Sequence, residues 1–250
     1  MKIGILEAGL VREVLADRFD PYPQMFQQFL GQANRLLEFD AVSVVRGDVA
    51  DSIHDCDGWL ITGSRHGVYD NLDWMPPLQD FIREIASAGL PLVGICFGHQ
   101  IIAEAMGGKV IKSEKGWGVG LHRYRIDQAH LWMDARPQQV GMYVFHQDQV
   151  VEMPPSAQVF LSSGFCPYAG LSYGDSIISV QGHPEFEPAY MTALLDLFGG
   201  SLIPNDVAAA ARESTHDGRA DTTMLASWIS EFFLTGGKIT AGSLNASSAS

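Results

Sequence analysis

Pro91-Leu92-Val93-Gly94-Ile95-Cys96-Phe97-Gly98-His99-Gln100-Ile101-Ile102-Ala103-Glu104-Ala105-Met106-Gly107-Gly108 is the stretch whose reading decides the rest of the chain. Leu92 to Ile95 is a short apolar run of buried-strand type, and from Gln100 onward the apolar spacing is that of a helix ending at Gly107-Gly108. The order is strand, sharp turn, helix. Gly94 and Gly98 bracket a single cysteine in the pattern Gly-x-Cys-x-Gly, a nucleophile elbow with sulfur in place of a hydroxyl. Small residues on both sides let the backbone take a tight turn that lifts the thiol out of the sheet. Cys96 then stands at a helix N-terminus, where unpaired amides can hold an oxyanion.

A lone cysteine after an apolar strand is ordinarily a buried core residue. The later segment Gln181-Gly182-His183-Pro184-Glu185, which ends the apolar run Ile177-Ile178-Ser179-Val180, argues against that reading. A histidine with a carboxylate two positions on supplies a base and the group that orients it. The chain order is Cys96, His183, Glu185. Together, Gly94-Ile-Cys-Phe-Gly-His-Gln100 and Gly182-His-Pro-Glu185 resemble the class I (triad-type) glutamine amidotransferases, above all stand-alone relatives of the amidotransferase domain of GMP synthase. The resemblance runs from about Met1 to the region after Glu185.

Upstream of the elbow, strands alternate with helices. Lys2 to Leu6 reads as a buried strand, Met25 to Phe39 as a helix with Phe26, Phe29, Leu30, Ala33, Leu36 and Leu37 on one face, and Ala41 to Val45 as a strand. Gly58 to Thr62 is the next strand, followed by the loop Gly63 to Asp70 and a helix Leu78 to Ala88. This alternation predicts a parallel sheet covered on both faces, with ligands bound at the carboxyl ends of the strands. The resemblance implies that the Gly63 loop supplies an oxyanion-hole amide. Gly63-Ser64-Arg65 stands where the family commonly has Gly-Gly-Pro, and a backbone amide can serve from any residue if the loop keeps its path.

After the elbow the texture becomes β-rich. Lys109 to Lys112, Val119 to Ile126, Met142 to Phe145, Gln158 to Ser163, Tyr168 to Ser172 and Ile177 to Gln181 read as short antiparallel or mixed strands. Phe186 to Phe198, Asn205 to Arg212 and Thr222 to Leu234 read as helices. The predicted architecture is a mixed, mainly parallel central sheet with helices on both faces, flavodoxin-like, carrying a β-rich extension. One amidotransferase-like domain is expected over residues 1–235, with 236–250 a Gly/Ser/Ala-rich tail. Phe145-His146-Gln147-Asp148 resembles the family segment lining the glutamine site, usually Ser-His-Gly-Asp, with Gln147 at the glycine position. By that resemblance Gln100, His146, Gln147 and Asp148 contact substrate. No metal-ligand spacing links His146 and Asp148 to His122 or His130, and no metal or other cofactor is expected.

The chain has 250 residues, and Lys and Arg number 16 against 29 Asp and Glu, a net charge of −13. Such an acidic surface argues against nucleic-acid or anionic-membrane partners. Three cysteines without framework spacing, no apolar leader and no run long enough to span a bilayer predict a cytoplasmic protein. The resemblance implies hydrolysis of the γ-amide of glutamine: attack by Cys96, proton transfer by His183, orientation by Glu185, and oxyanion stabilisation by the amides of Phe97 and the Gly63-Ser64 turn. Neither a Gly-x4-Gly-Lys-Ser/Thr loop nor a pyrophosphatase motif is present to bind ATP, so an ammonia-using synthetase would be a separate subunit. Two other readings stay open: an autonomous γ-glutamyl hydrolase or peptidase, and a non-catalytic module on the same fold, against which intact Cys96, His183 and Glu185 count.

Overall fold

The computed structural model describes residues 1–135 and 137–236. In chain order the elements are β1 (Lys2–Leu6), α1 (Tyr22–Ala33), β2 (Glu38–Val42), β3 (Gly58–Ile61), α2 (Met75–Ala88), β4 (Leu92–Ile95) and α3 (Phe97–Ala105). There follow β5 (Lys109–Lys112), β6 (Gly118–Ile126), β7 (Gln139–His146), β8 (Asp148–Glu152), β9 (Ala157–Ser162), β10 (Gly170–Tyr173) and β11 (Ile177–Val180). Three helices close the described chain: α4 (Pro188–Phe198), α5 (Asn205–Asp217) and α6 (Thr222–Thr235).

Nine strands form one mixed sheet in the order β2-β1-β3-β4-β11-β10-β9-β6-β7. The pairs β2-β1, β1-β3, β3-β4 and β4-β11 are parallel, and the sheet continues antiparallel from β10 outward. A separate antiparallel ribbon joins β5 to β8. This is the flavodoxin-like α/β sheet with a β-rich extension that the alternation predicts.

Alternate side chains of each parallel strand go to opposite faces, as the period of two requires. Ile3, Ile5, Leu60, Val93, Ile95, Ile178 and Val180 pack with α1 and α6 through Phe26, Phe29, Trp228 and Phe232. Leu6, Trp59, Ile61, Leu92 and Ile177 pack on the other face with α2 and α3 through Leu78, Ile82, Ile101 and Ile102. A third cluster joins α4 and α5 to β6 and β7 through Met191, Leu195, Ala211, Val119 and Tyr143. Among the described residues no helix is long and apolar enough to cross a membrane.

Beyond shifts of a few residues at the ends of several elements, three departures from the sequence expectation matter for the sheet. The helix expected over Met25 to Phe39 spans Tyr22–Ala33, because Asn34 turns extended at φ −146° and its Oδ1 accepts the Leu36 amide at 2.9 Å. That local bond competes with continuing the helix, and Leu36 ends 79% exposed instead of on the apolar face. The strand expected over Ala41 to Val45 consequently forms earlier, as β2, where it extends the sheet beside β1. Residues 148–152, read only as a site segment, form β8. The expected tail, from residue 237 on, lies outside the described residues.

Gly4 is the tightest point of the parallel core: a Cβ there would lie 2.2 Å from the Trp59 ring. Gly31, inside α1, has open space instead. Gly4→Ala should therefore destabilise the protein by about 1–3 kcal/mol through overpacking, whereas Gly31→Ala should stabilise it by roughly 0.5–1 kcal/mol through reduced backbone entropy loss. Equilibrium urea unfolding checks both signs, and two losses of similar size would contradict this account.

Candidate active site

Strand β4 delivers Cys96 to the carboxyl edge of the sheet in a conformation that few L-residues adopt, φ 53° and ψ −100°. The flanking glycines make room for it. A Cβ on Gly94 would come within 2.6 Å of Gly98 O, and one on Gly98 within 2.4 Å of Ile61 O. The Cys96 amide is spent on Val180 O at 2.9 Å, which ties the elbow to β11. Helix α3 starts at Phe97, three residues before the expected Gln100, so the Phe97 amide is among those lacking an intrahelical acceptor.

The end of β11 brings the partner side chains. His183 is fixed through its amide to Tyr143 O at 2.7 Å, and its ring lies flat on Phe186 with centroids 3.9 Å apart and planes 9° apart. Glu185 Oε1 stands 2.7 Å from His183 Nδ1. Cys96, His183 and Glu185 are all buried. Burial lowers the pKa of the imidazole, but the Glu185 carboxylate and the Cys96 sulfur outweigh it, and the net direction is upward from the ordinary 6.5.

The Gly63 turn sits against both side chains: a Cβ added there would lie 2.7 Å from His183 Cε1 and 3.7 Å from Cys96 Cβ. Thiol and imidazole thus converge on a space that only glycine leaves open. Behind the turn, Thr62 Oγ1 accepts the Ala8 amide and donates to Gly63 O, both at 3.0 Å. Ser64 Oγ accepts the His66 amide at 3.2 Å.

A cavity of about 320 Å³ opens over this cluster, and Ser64, Cys96, Gln100, His146, Gln147, Asp148 and His183 all line it. Gln100 Nε2 donates to Asp148 O at 3.0 Å and to Gln181 Oε1 at 3.1 Å, so both its amide protons are held by protein. His146 is kept neutral by burial, its pKa lowered to about 3, and its Nδ1 lies 3.0 Å from Asp148 O. The Asp148 carboxylate accepts the Tyr69 hydroxyl at 3.0 and 2.9 Å. Gln147 lends its carbonyl to the Ser113 amide at 3.1 Å.

The family model described as Glutamine amidotransferase class-I matches residues 26–198, well over half of the chain. This chain belongs to the class-I glutamine amidotransferases. Among its relatives, gamma-glutamyl peptidase 3 of Arabidopsis thaliana is 28% identical over 218 residues, covering 84% of this chain and 87% of that protein. GMP synthase [glutamine-hydrolyzing] of Aquifex aeolicus (strain VF5) is 36% identical over 110 residues, 44% of this chain but 21% of that protein. The crystal structure of the glutamine amido transferase from Methylobacillus flagellatus superimposes with a TM-score of 0.73 at 20% identity, covering 94% of each chain.

Four residues of this class-I amidotransferase escape sequence reasoning. Gln181 bridges the site, accepting from Gln100 and donating its Nε2 to Cys96 Sγ at 3.7 Å; a polar residue closing an apolar strand was its only signal. Phe186 follows the His183 motif directly, and an aromatic there is a legible stacking partner. Thr62 at the end of β3 and Tyr69 carry no sequence signal, since their partners lie 54 and 79 residues away.

The raised imidazole pKa has a linkage consequence whose sign follows from its direction. A histidine bound more tightly to its proton when folded contributes stability that is complete below the unfolded value of about 6.5 and is lost as pH rises through the folded value. With Cys96 in place, His183→Ala should cost about 1–2 kcal/mol more near pH 6 than near pH 9. Urea titrations at both pH values measure the difference. A cost independent of pH would mean that Glu185 and the Cys96 sulfur together do not hold the ring protonated.

Proposed function

We propose that this chain is a γ-glutamyl amidohydrolase that opens the γ-amide of glutamine or of another γ-glutamyl compound through a thioester on Cys96. The observation carrying this reading is the convergence of a strained, helix-capping Cys96 with a His183–Glu185 pair 2.7 Å apart across the Gly63 turn. Cys96 Sγ attacks the γ-carbonyl carbon while the amides of Phe97 and the Gly63-Ser64 turn hold the developing oxyanion. His183 takes the thiol proton and delivers it to the leaving nitrogen, so that the C–N bond breaks and the amine departs. Glu185, bonded at Nδ1, leaves Nε2 for this shuttle and stabilises the imidazolium. Water, deprotonated by the same imidazole, then opens the thioester to glutamate. Gln100, His146, Gln147 and Asp148 shape the end of the cavity that takes the amino-acid part of the substrate.

The motifs alone rank glutamine first. Here the peptidase relatives, which this chain matches nearly end to end, favour a hydrolase acting on its own. An ammonia-delivering subunit paired with a separate synthetase is the second reading, favoured by the higher identity to GMP synthase within its shorter match.

A glutamine-analogue electrophile, 6-diazo-5-oxonorleucine, should label Cys96 alone. Cys56 and Cys166 are buried, and burial pushes the Cys166 thiol up to about 12. Peptide mapping that finds the label on either would overturn the assignment. Cys96→Ala and His183→Ala should each cost roughly 10³–10⁶ in kcat, and the double variant no more than the worse single; multiplying losses would mean the groups do not act as one unit.

A further inference from the structure

The cavity over Cys96 has two unlike sides. One is polar and carries the Ser64 turn, Tyr69 and Asp148. The other is an apolar wall built from Trp117, Phe145, Phe198, Leu10 and Leu202. Trp117 and Phe145 rings lie 5.5 Å apart and Phe145 and Phe198 rings 5.7 Å apart, so the wall is continuous. All five side chains keep part of their surface open, and Leu202 is 49% exposed. Contiguous apolar surface left open inside a pocket is the usual mark of a ligand-binding wall.

Free glutamine makes no use of such a wall. Its leaving group is ammonia, which presents no apolar surface, and its amino-acid end is charged. An apolar body must therefore belong to whatever lies beyond the scissile nitrogen.

The charges of the cavity agree. Arg12 lies over the Phe198 ring, 5.1 Å from its centroid, at the edge of the wall. Arg65 lines the same cavity from the Gly63 loop. After burial, which is the larger cause, both guanidinium groups help keep the His66 ring below its ordinary pKa, although Asp70 opposes them. Neither arginine forms an ion pair with a described carboxylate, in a chain of net charge −13. Glutamine carries one carboxylate. A γ-glutamyl amino acid carries two, the second on the leaving residue.

We infer that the preferred substrate is a γ-glutamyl amino acid whose leaving residue is large and apolar, its side chain on the Trp117-Phe145-Phe198 wall and its free carboxylate on Arg12. This rests on the proposed amidohydrolase reading and names its substrate. The chemistry stays hydrolytic: the γ-C–N bond breaks, His183 protonates the leaving α-amine, and water completes glutamate.

The test compares kcat/KM of the purified full chain for γ-glutamyl-phenylalanine, γ-glutamyl-glycine, γ-glutamyl-phenethylamide and glutamine, with Cys96→Ala as the blank. The expected order puts γ-glutamyl-phenylalanine at least tenfold above γ-glutamyl-glycine and glutamine. In Arg12→Ala the ratio of γ-glutamyl-phenylalanine to γ-glutamyl-phenethylamide should fall about tenfold, because only the first bears the carboxylate. In Phe145→Ala the ratio of γ-glutamyl-phenylalanine to γ-glutamyl-glycine should fall similarly. Ratios within one variant are insensitive to how much of it is folded. Equal turnover of all four compounds, or Arg12→Ala ratios that do not move, overturns the inference and leaves the amidohydrolase reading standing. No turnover of any of them above the Cys96→Ala blank overturns both.

Discussion

The constraint on which the site depends is the clearance between the Cys96 elbow and the neighbouring strand β3. A cysteine at φ 53° costs on the order of 1–3 kcal/mol relative to an ordinary backbone. That cost is met by structure fixed on every side. The Cys96 amide bonds to β11, α3 begins at the next residue, and Gly98 passes so near Ile61 O that no side chain fits. A side chain at Gly98 would collide with Ile61 O, so the elbow keeps its path only because β3 and β4 lie side by side with glycine between them. The parallel sheet is thus what holds the thiol out, and the aliphatic side chains that alternate across its two faces, each worth about 1.5–3 kcal/mol when fully buried, are what hold the sheet.

The same constraint explains how much could be read from sequence. A strained turn needs particular residue types at fixed offsets, so Gly94, Cys96 and Gly98 are written in the chain itself, as are His183 and Glu185, whose geometry is local across two residues. The inner parallel strands β1, β3, β4 and β11 are legible because burial on both faces leaves continuous apolar runs, which the exposed edge strand β2 lacks. Most of what is not legible depends on contacts far apart in sequence; the end of α1 is the local exception. Periodicity carries α1 past Asn34, because an Asx bond to Leu36 leaves no mark in a hydrophobic pattern. Strand β8 is half exposed and gains its ladder only by meeting β5. The bridge through Gln181 and the latch from Tyr69 to Asp148 require folded positions that no spacing rule supplies.

That latch gives the site a second level of order. Tyr69 belongs to the loop that starts at Gly63, and Asp148 to the segment beside His146, so one hydroxyl ties the Gly63 loop to the His146 segment. Burial raises the pKa of Asp148, while the Tyr69 hydroxyl and Lys112 lower it, and the tyrosine is exposed. Gln147 and Ser64, the two departures from the family pattern of glycines, sit on either side of this tie. Each adds a side chain where the family pattern has none. Both line the cavity, while the Gly63 position itself, which His183 and Cys96 crowd, stays glycine.

Electrostatics then separate the interior of the site from the surface around it. A chain with net charge −13 repels anions at long range, and a doubly carboxylated ligand suffers more than glutamine does. Screening over about 8–10 Å at physiological salt limits that penalty to the approach. Inside the cavity the local field is set by near charges: Arg12 and Arg65 without carboxylate partners, against Asp70 and Asp148 engaged by Gly67, His66 and Tyr69. Asp70 and Asp148 keep their charge when bonded by neutral donors, but Arg12, Arg65 and Lys112 outnumber them along the cavity, so the lining charges sum opposite in sign to the surface. Such an inversion requires the cations to be held against low-dielectric walls, and Arg12 over Phe198 is held in that way. The aromatic side of the cavity thus joins apolar surface to a guanidinium lying over its Phe198 ring.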